Sequence, residues 1–316
     1  MTSAASVTNV GTFWHWAAFL LFVLLAVTLD LGVFHRSAHR VSSREAALWS
    51  AVWVALSILF GLGILHWYGS RLALEFFTGY VIEKSLSVDN LFVFLIVFRT
   101  FRIEERFQHR ILAWGILGAL VMRGAMIAAG AALLARFSWI TYVFGAFLLY
   151  AGLHMLLARS KEAHPEQNPI FRFASTHLRV AHGDHGSNFF IRQGARWFAT
   201  SLFLVLLVIE ITDVTFALDS IPAIFGITHD AFIVFTSNVF AILGLRALYF
   251  LLAGVLGYFR YLSTGLAVVL LFVGGKMLAE PWLHIPVHIS LAIVGAILLA
   301  ALMPSLLSGR KPAPPA

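Results

Sequence analysis

The sequence predicts an all-α polytopic membrane protein, a single transmembrane domain over 1–316 with about nine helices, and three observations carry that prediction. The composition is 60% apolar and only 12% charged. The mean hydropathy is +0.88. The apolar residues are gathered into long runs, and two sets of three runs repeat each other's charged positions.

Runs long enough to cross roughly 30 Å of hydrocarbon at about 1.5 Å per residue fall near 13–34, 47–65, 74–98, 111–135, 139–157, 198–225, 231–256, 262–279 and 285–307. The segment before the first, M-T-S-A-A-S-V-T-N-V-G-T, carries no Lys or Arg, so the first run reads as a retained span rather than a cleaved signal. Basic residues then gather on alternate sides. Arg36, Arg40 and Arg44 follow span one, and Arg99, Arg102, Arg106 and Arg110 follow span three. Six more lie in the 158–197 loop after span five, Arg260 follows span seven, and Arg310 and Lys311 close the chain. Only Arg71 and Arg136 fall on the other side. This bias predicts an external amino terminus and a cytoplasmic carboxyl terminus. It also accounts for the net charge of +7 without nucleic acid as a partner. Trp14, Trp16, Trp67, Trp139 and Trp282 stand at span ends, where indole rings anchor to the interface.

Seven acids (Asp30, Glu75, Glu83, Asp89, Glu210, Asp213 and Asp219) and four cations (Lys84, Arg123, Arg246 and Lys276) lie within spans. Glu75 and Lys276 are near enough to span ends to reach the interface. With or without them the spans are three charges too acidic, a deficit that a bound cation or protons would relieve. The acids recur in a pattern. Y-V-I-E-K-S-L-S-V-D-N-L-F-V-F in span three matches V-I-E-I-T-D-V-T-F-A-L-D-S-I-P-A-I in span six, which lays Glu83 over Asp213 and Asp89-Asn90 over Asp219-Ser220. G-A-L-V-M-R-G-A in span four matches F-A-I-L-G-L-R-A-L in span seven, with Arg123 and Arg246 in mid-span. Two copies of a three-helix unit, each with an odd number of spans, must run in opposite orientations, which predicts two inverted three-helix repeats. L-D-L-G-V-F, with Asp30 at the end of span one, is a fainter echo.

Six residues turn about 240° on a regular helix, so the paired acids converge on one ion only if their helices are interrupted. Pro222 is the expected interruption in span six. Ser85, Ser87, Thr212 and Thr215 are expected to back-bond to their own helices. Carboxylate, amide, hydroxyl and carbonyl oxygens in a chain without cysteine select a hard divalent ion, which leaves magnesium, calcium or manganese. Acids crowded into one site compete for protons once the metal leaves, so metal/proton exchange is expected.

E-F-F-T-G-Y-V-I-E-K-S-L-S-V-D-N-L-F-V-F, E-I-T-D-V-T-F-A-L-D-S-I-P-A-I-F and T-S-N-V-F-A-I-L-G-L-R-A-L-Y-F-L-L-A-G, with W-S-A-V-W-V-A-L-S-I-L-F-G and H-I-P-V, closely resemble the TerC/Alx family. The resemblance implies a multi-pass protein of the bacterial inner membrane, linked to manganese export and to tellurium resistance. It implies Glu83, Asp89 and Asn90 with Asp213, Asp219 and Ser220 as metal-site residues, and Glu210 and Asp30 nearby. It favours manganese, exported as the transported substrate with no resident cofactor, protons as coupling ion and the lipid bilayer as surroundings.

Neither H-E-x-x-H nor G-x-S-x-G occurs, so no enzyme is expected. The competing readings are an exporter of calcium or magnesium and a membrane stress or metal sensor that transports nothing. In the loop 158–197, His164, His177, His182 and His185 read as ordinary loop residues rather than ligands, and N-P-I-F-R-F-A-S-T-H-L-R-V as an interfacial element.

Overall fold

The computed structural model describes residues 10–34, 43–101, 103–157, 181, 186, 188–193, 196–252, 262–283 and 285–307. They form helices α1 (Phe13–Phe34), α2 (Ser43–Tyr68), α3 (Ser70–Thr100), α4 (Glu105–Arg136) and α5 (Ile140–Leu157). A two-stranded hairpin of β1 (Phe190–Gln193) and β2 (Arg196–Ala199) follows, then α6 (Ser201–Phe225), α7 (Ala231–Ile242), α8 (Leu245–Leu252), α9 (Leu262–Ala279) and α10 (Val287–Leu307). An all-α polytopic membrane protein is what this is. Stretches 44–68, 105–136, 140–157, 201–225 and 231–251 are each long and apolar enough to cross a membrane. Helix α3 carries more charge, but its 31 residues span about 46 Å at the helical rise.

The element boundaries follow local chemistry. Asp230 caps α7, its Oδ1 accepting from Phe232 N at 2.9 Å and Ile233 N at 3.1 Å, which satisfies donors that a helix start leaves open. Thr212 and Thr215 back-bond to Val208 O and Ile211 O as expected. Trp14, Trp67, Trp139 and Trp282 are exposed at helix ends, as interface anchors would be.

Three expectations need correction. The acidic helices are not interrupted: α3 and α6 run unbroken through their carboxylates. Pro222 lies in the last turn of α6, where the ring costs one hydrogen bond close to a terminus and does not part the helix. The interruption falls instead in predicted span seven, between α7 and α8, where Gly244 takes φ +82. Leu243 N still bonds back to Val239 O at 2.8 Å, and Lys84 on α3 donates its Nζ to Ala241 O at 3.0 Å. A cation at a helix C-terminus satisfies an orphan carbonyl and opposes the dipole. Second, Glu75 does not snorkel. It is buried, accepting from Arg71 Nε at 3.0 Å and Thr228 Oγ1 at 2.5 Å. Third, Trp197–Ala199 pairs as a strand before α6 begins, so one hairpin interrupts the all-α pattern. The histidines of the 158–197 loop and its N-P-I-F-R-F segment lie outside the described residues.

Helix α3 is the hub, packed on α2, α6, α7 and α10, while α4 lies along α6 and α5 along α9. Gly145 and Gly152 of α5 face Gly274 and Ala267 of α9, where added side chains would meet backbone carbonyls at 2.8–3.1 Å. Small residues let helix backbones approach where lipid supplies no hydrophobic drive. One apolar cluster joins Leu91, Phe94 and Phe98 of α3 to Ile111 and Leu112 of α4, Val205, Val208 and Ile209 of α6, and Tyr249 of α8. Another joins Ile127 of α4 to Ala217, Ile221 and Phe225 of α6. Between the two lies a polar layer.

Gly244 sets the break, and its conformation is one that only glycine adopts readily. An added Cβ would also sit 2.6 Å from Trp53 Cδ1. Gly244→Ala should therefore lose at least about 1–2 kcal/mol, seen as a lower Tm of the purified protein in detergent. Gly275→Ala, with open space around its site, should leave Tm within experimental error. Equal Tm values for both would mean that α7 and α8 do not depend on this turn.

Candidate metal site

Asp213 sits in the middle of α6, twelve residues from either end, and at about 1.5 Å per residue that is roughly 18 Å from each. A lone carboxylate there is costly. It is met by Arg123 of α4 in a two-pronged pair: Nε donates to Oδ2 and Nη2 to Oδ1, both at 2.9 Å. Nη1 of the same guanidinium donates to Glu83 Oε1 of α3 and, at 3.3 Å, to Ser220 Oγ. Arg123, Glu83 and Asp213 are 2%, 0% and 5% exposed. The planar fork of arginine matches a carboxylate edge to edge, and charge-assisted bonds of this kind are the strong ones.

Helical spacing explains which residues meet. Glu83, Ser87 and Asn90 lie at i, i+4 and i+7, one stripe of α3, and all three are buried. Glu210, Asp213 and Ser220 form the matching stripe of α6. The common face of the two acidic helices is thus an acid with a polar residue seven positions on, Glu83 with Asn90 and Asp213 with Ser220. Asp219, six residues after Asp213, is turned about 240° away from this stripe. Asp219 is half-buried and makes no hydrogen bond or ion pair among the described residues. Asp30 lies on α1 and Asp89 on α3, with side chains outside what the structure describes.

Glu210, one turn before Asp213, is lodged against Gly118 of α4, where a Cβ would fall on the carboxylate. Among the described residues its Oε2 is buried without a hydrogen-bond partner, as are Glu83 Oε2 and Ser87 Oγ. Ser87 therefore does not back-bond to its helix as expected: it lines a cavity with Asn90, Arg123, Asp213 and Arg246. Water centres fit into about 20 Å³ of that cavity, room for roughly one water-sized group. Among the described residues, no three His, Asp or Glu side chains converge in a metal-ligand arrangement. Glu83 and Asp213 converge on Arg123.

Sequence reasoning used Arg123 to mark the repeat and missed that it organises the site. The signal was the acid excess itself, since a mid-span arginine in a layer short of cations must find acids. Gly118, five residues before Arg123, and Lys84 were also missed. Their roles depend on which helix lies opposite.

Breaking one partner of a buried pair leaves an uncompensated charge and costs about 3–5 kcal/mol. Arg123→Gln, which strands two, should lower Tm by at least the corresponding amount. Arg123→Gln combined with Glu83→Gln should recover part of the loss. Strictly additive losses in that double-mutant cycle would contradict a shared charge network.

The TerC family, described as integral membrane proteins, matches this chain over residues 68–313. The membrane protein STKORF319 of Myxococcus xanthus is 49% identical over 302 residues, covering 96% of this chain and 95% of its own length. Two proteins named as the membrane-bound redox modulator Alx are similar as well. That of Salmonella typhi is 47% identical over 305 residues, covering 93% of this chain and 94% of its own. That of Escherichia coli strain K12 is 46% identical over 301 residues, covering 92% and 94%. No solved structure matches.

Proposed function

The chain belongs to the TerC family of integral membrane proteins, and from that premise we propose that it is a secondary transporter exporting divalent manganese across the bacterial inner membrane. In this reading nine spans comprise two inverted three-helix repeats, spans three to five and six to eight. The amino terminus is external and the carboxyl terminus cytoplasmic. The observation that carries the reading is the charge balance at Arg123. One guanidinium against Glu83 and Asp213 leaves a net charge of −1 at mid-helix depth. A divalent ion in place of the guanidinium brings the two carboxylates to neutrality, and a single proton does the same while Arg123 stays. Arg123 is thus a built-in counter-ion for the metal-free site, and exchange of metal for proton keeps the Glu83–Asp213 pair neutralised in both states.

The donors suit a hard ion. Glu83, Asp213, Ser220, Ser87 and Asn90 offer only oxygen ligands, with the unpartnered Glu83 Oε2 and Ser87 Oγ free to take part. Asp89 and Asp219 extend the acidic route through the spans. Calcium and magnesium fit the same donors, and manganese is preferred on the family resemblance. The redox name of the relatives is accommodated through the cargo, a redox-active ion, since the 316 residues hold no cysteine to form a thiol couple.

Cells loaded with manganese should accumulate it when the protein carries Asp89→Asn, Asp213→Asn or Asp219→Asn, each at normal membrane abundance. Asp184→Asn, in the 158–197 loop, should leave manganese content at the wild-type level. In vesicles, manganese flux should move protons the other way and respond to an imposed pH gradient. Efflux that survives all three intramembrane substitutions would sink the site, and flux indifferent to pH would sink the exchange.

A further inference from the structure

Asn238 lies in the second half of α7 with its side chain buried, 1% exposed. Among the described residues neither its Oδ1 nor its Nδ2 has a hydrogen-bond partner. Its polar neighbours differ in this. Thr236 and Ser237 are buried too, and their hydroxyls return to Ile233 O and Val234 O of the same helix at 3.3 and 3.1 Å. A primary amide offers an acceptor and two donors. Leaving them unmet in a buried place costs stability that a leucine of similar size would not.

The contacts of α7 fix which way Asn238 points. Ser237 faces α3, its Oγ 2.7 Å from where a Cβ would stand on Gly79, one turn before Glu83. Phe235 faces α4, its ring 3.3 Å from where a Cβ would stand on Gly124, next to Arg123. At about 100° per residue, Asn238 falls between these two directions, about 100° from Ser237 and about 60° from Phe235. Val234 and Ile242, one turn away on either side and each about 40° from it, agree. Val234 packs with Ile127 of α4 and Ile221 of α6, and Ile242 lines the cavity with Arg123 and Asp213. The direction between α3 and α4 leads to their junction with α6, where Arg123, Glu83 and Asp213 meet. Depth agrees as well: three residues after Asn238, Ala241 O takes the Nζ of Lys84, the neighbour of Glu83.

Charge decides what an amide can do there. Glu83 and Asp213 already neutralise a divalent ion, so a further donor has to be uncharged to keep that balance. Glu83, Ser87, Asn90, Asp213 and Ser220 all come from α3 and α6, which reach an ion from two sides. An octahedral shell of oxygens needs donors all around it. An amide oxygen is a hard, neutral donor, and Asn238 brings one from a third helix.

We propose that Asn238 is a further ligand of the transported divalent ion, its Oδ1 closing the oxygen shell from α7. This rests on the reading of Glu83 and Asp213 as ligands of that ion. It ties α7, and with it the break at Gly244, to the presence of the ion.

Manganese titrations of the full chain in detergent, read by calorimetry and by Tm with and without the ion, test the assignment. Asn238→Leu, which keeps the size and removes the oxygen, should weaken manganese binding at least about tenfold, the loss expected even for an outer-shell partner. Without metal its Tm should equal or exceed that of the wild type, because an unmet amide is gone. Manganese should raise the wild-type Tm by mass action, and that of Asn238→Leu less at the same concentration. Asn238→Asp keeps an oxygen and should retain most of the affinity. Ser237→Ala, which removes a hydroxyl bonded to its own helix, should bind like the wild type. Equal affinity in Asn238→Leu and wild type would overturn the ligand role. So would a lower metal-free Tm in Asn238→Leu, or folded Asn238→Asp that loses as much affinity, since either assigns the amide a hydrogen-bonding role within the fold. Should Asn238→Asp fail to fold, Asn238→Leu and Ser237→Ala decide alone. Wild-type protein that binds no manganese would instead remove the ion site itself, and this ligand with it.

Discussion

One guanidinium and two carboxylates meet in the middle of three packed helices, at a depth where none of the three is tolerable alone. Much of the arrangement follows from that constraint. Asp213 takes the forked side of Arg123 and Glu83 the remaining nitrogen, which fixes the rotation of α3, α4 and α6 about their axes. Gly118 lets α4 come close enough for Glu210 to lie against its backbone. Apolar clusters lie above and below, and Arg246 and Glu210 stand close to the three charges. A buried pair of this kind is weak grounds for stability, because desolvation offsets most of the attraction. Its retention in a layer that also holds unpartnered oxygens at Glu83, Glu210 and Ser87 suits a site that trades one positive partner for another.

The polar layer is asymmetric in how its backbone is treated. The helices that carry the acids stay whole, and the break falls at Gly244, beside Arg246. Lys84, next to Glu83 in sequence, closes the end of α7 through Ala241 O. Neighbouring residues of α3 thus serve two different partners: Glu83 joins it to α4 and α6, and Lys84 joins it to α7. A shift of α3 would be felt at both.

Hydropathy located the helices well. Predicted runs 13–34, 139–157 and 262–279 agree with α1, α5 and α9 to within a residue, because apolar length is what sets a span. The recurrence of acids and arginines along the sequence pointed to Glu83, Asp213 and Ser220, three residues that meet Arg123. What spacing alone could not supply was the opposing helix. Pro222 looked like a break and is not, since its position in the last turn matters more than its identity. Leu243-Gly244-Leu245 reads as continuous helix, and what marks this glycine, its φ of +82 and its packing against Trp53, is set by tertiary structure. Glu75 looked free to reach water, whereas Thr228, more than 150 residues away, holds it inside. The pairing at i+7 rather than i+6 was readable from helix geometry, had the polar residue after each aspartate been weighed above the aspartate itself.

The central claim is that Glu83 and Asp213 exchange Arg123 for a divalent ion. Electron paramagnetic resonance of Mn²⁺ measures this directly, because the sharp signal of the hydrated ion is lost on binding. Purified wild-type protein should bind manganese saturably, while Glu83→Gln and Asp213→Asn, confirmed folded by Tm, should leave the signal of the free ion intact. Saturable binding of equal affinity in all three proteins would contradict the account.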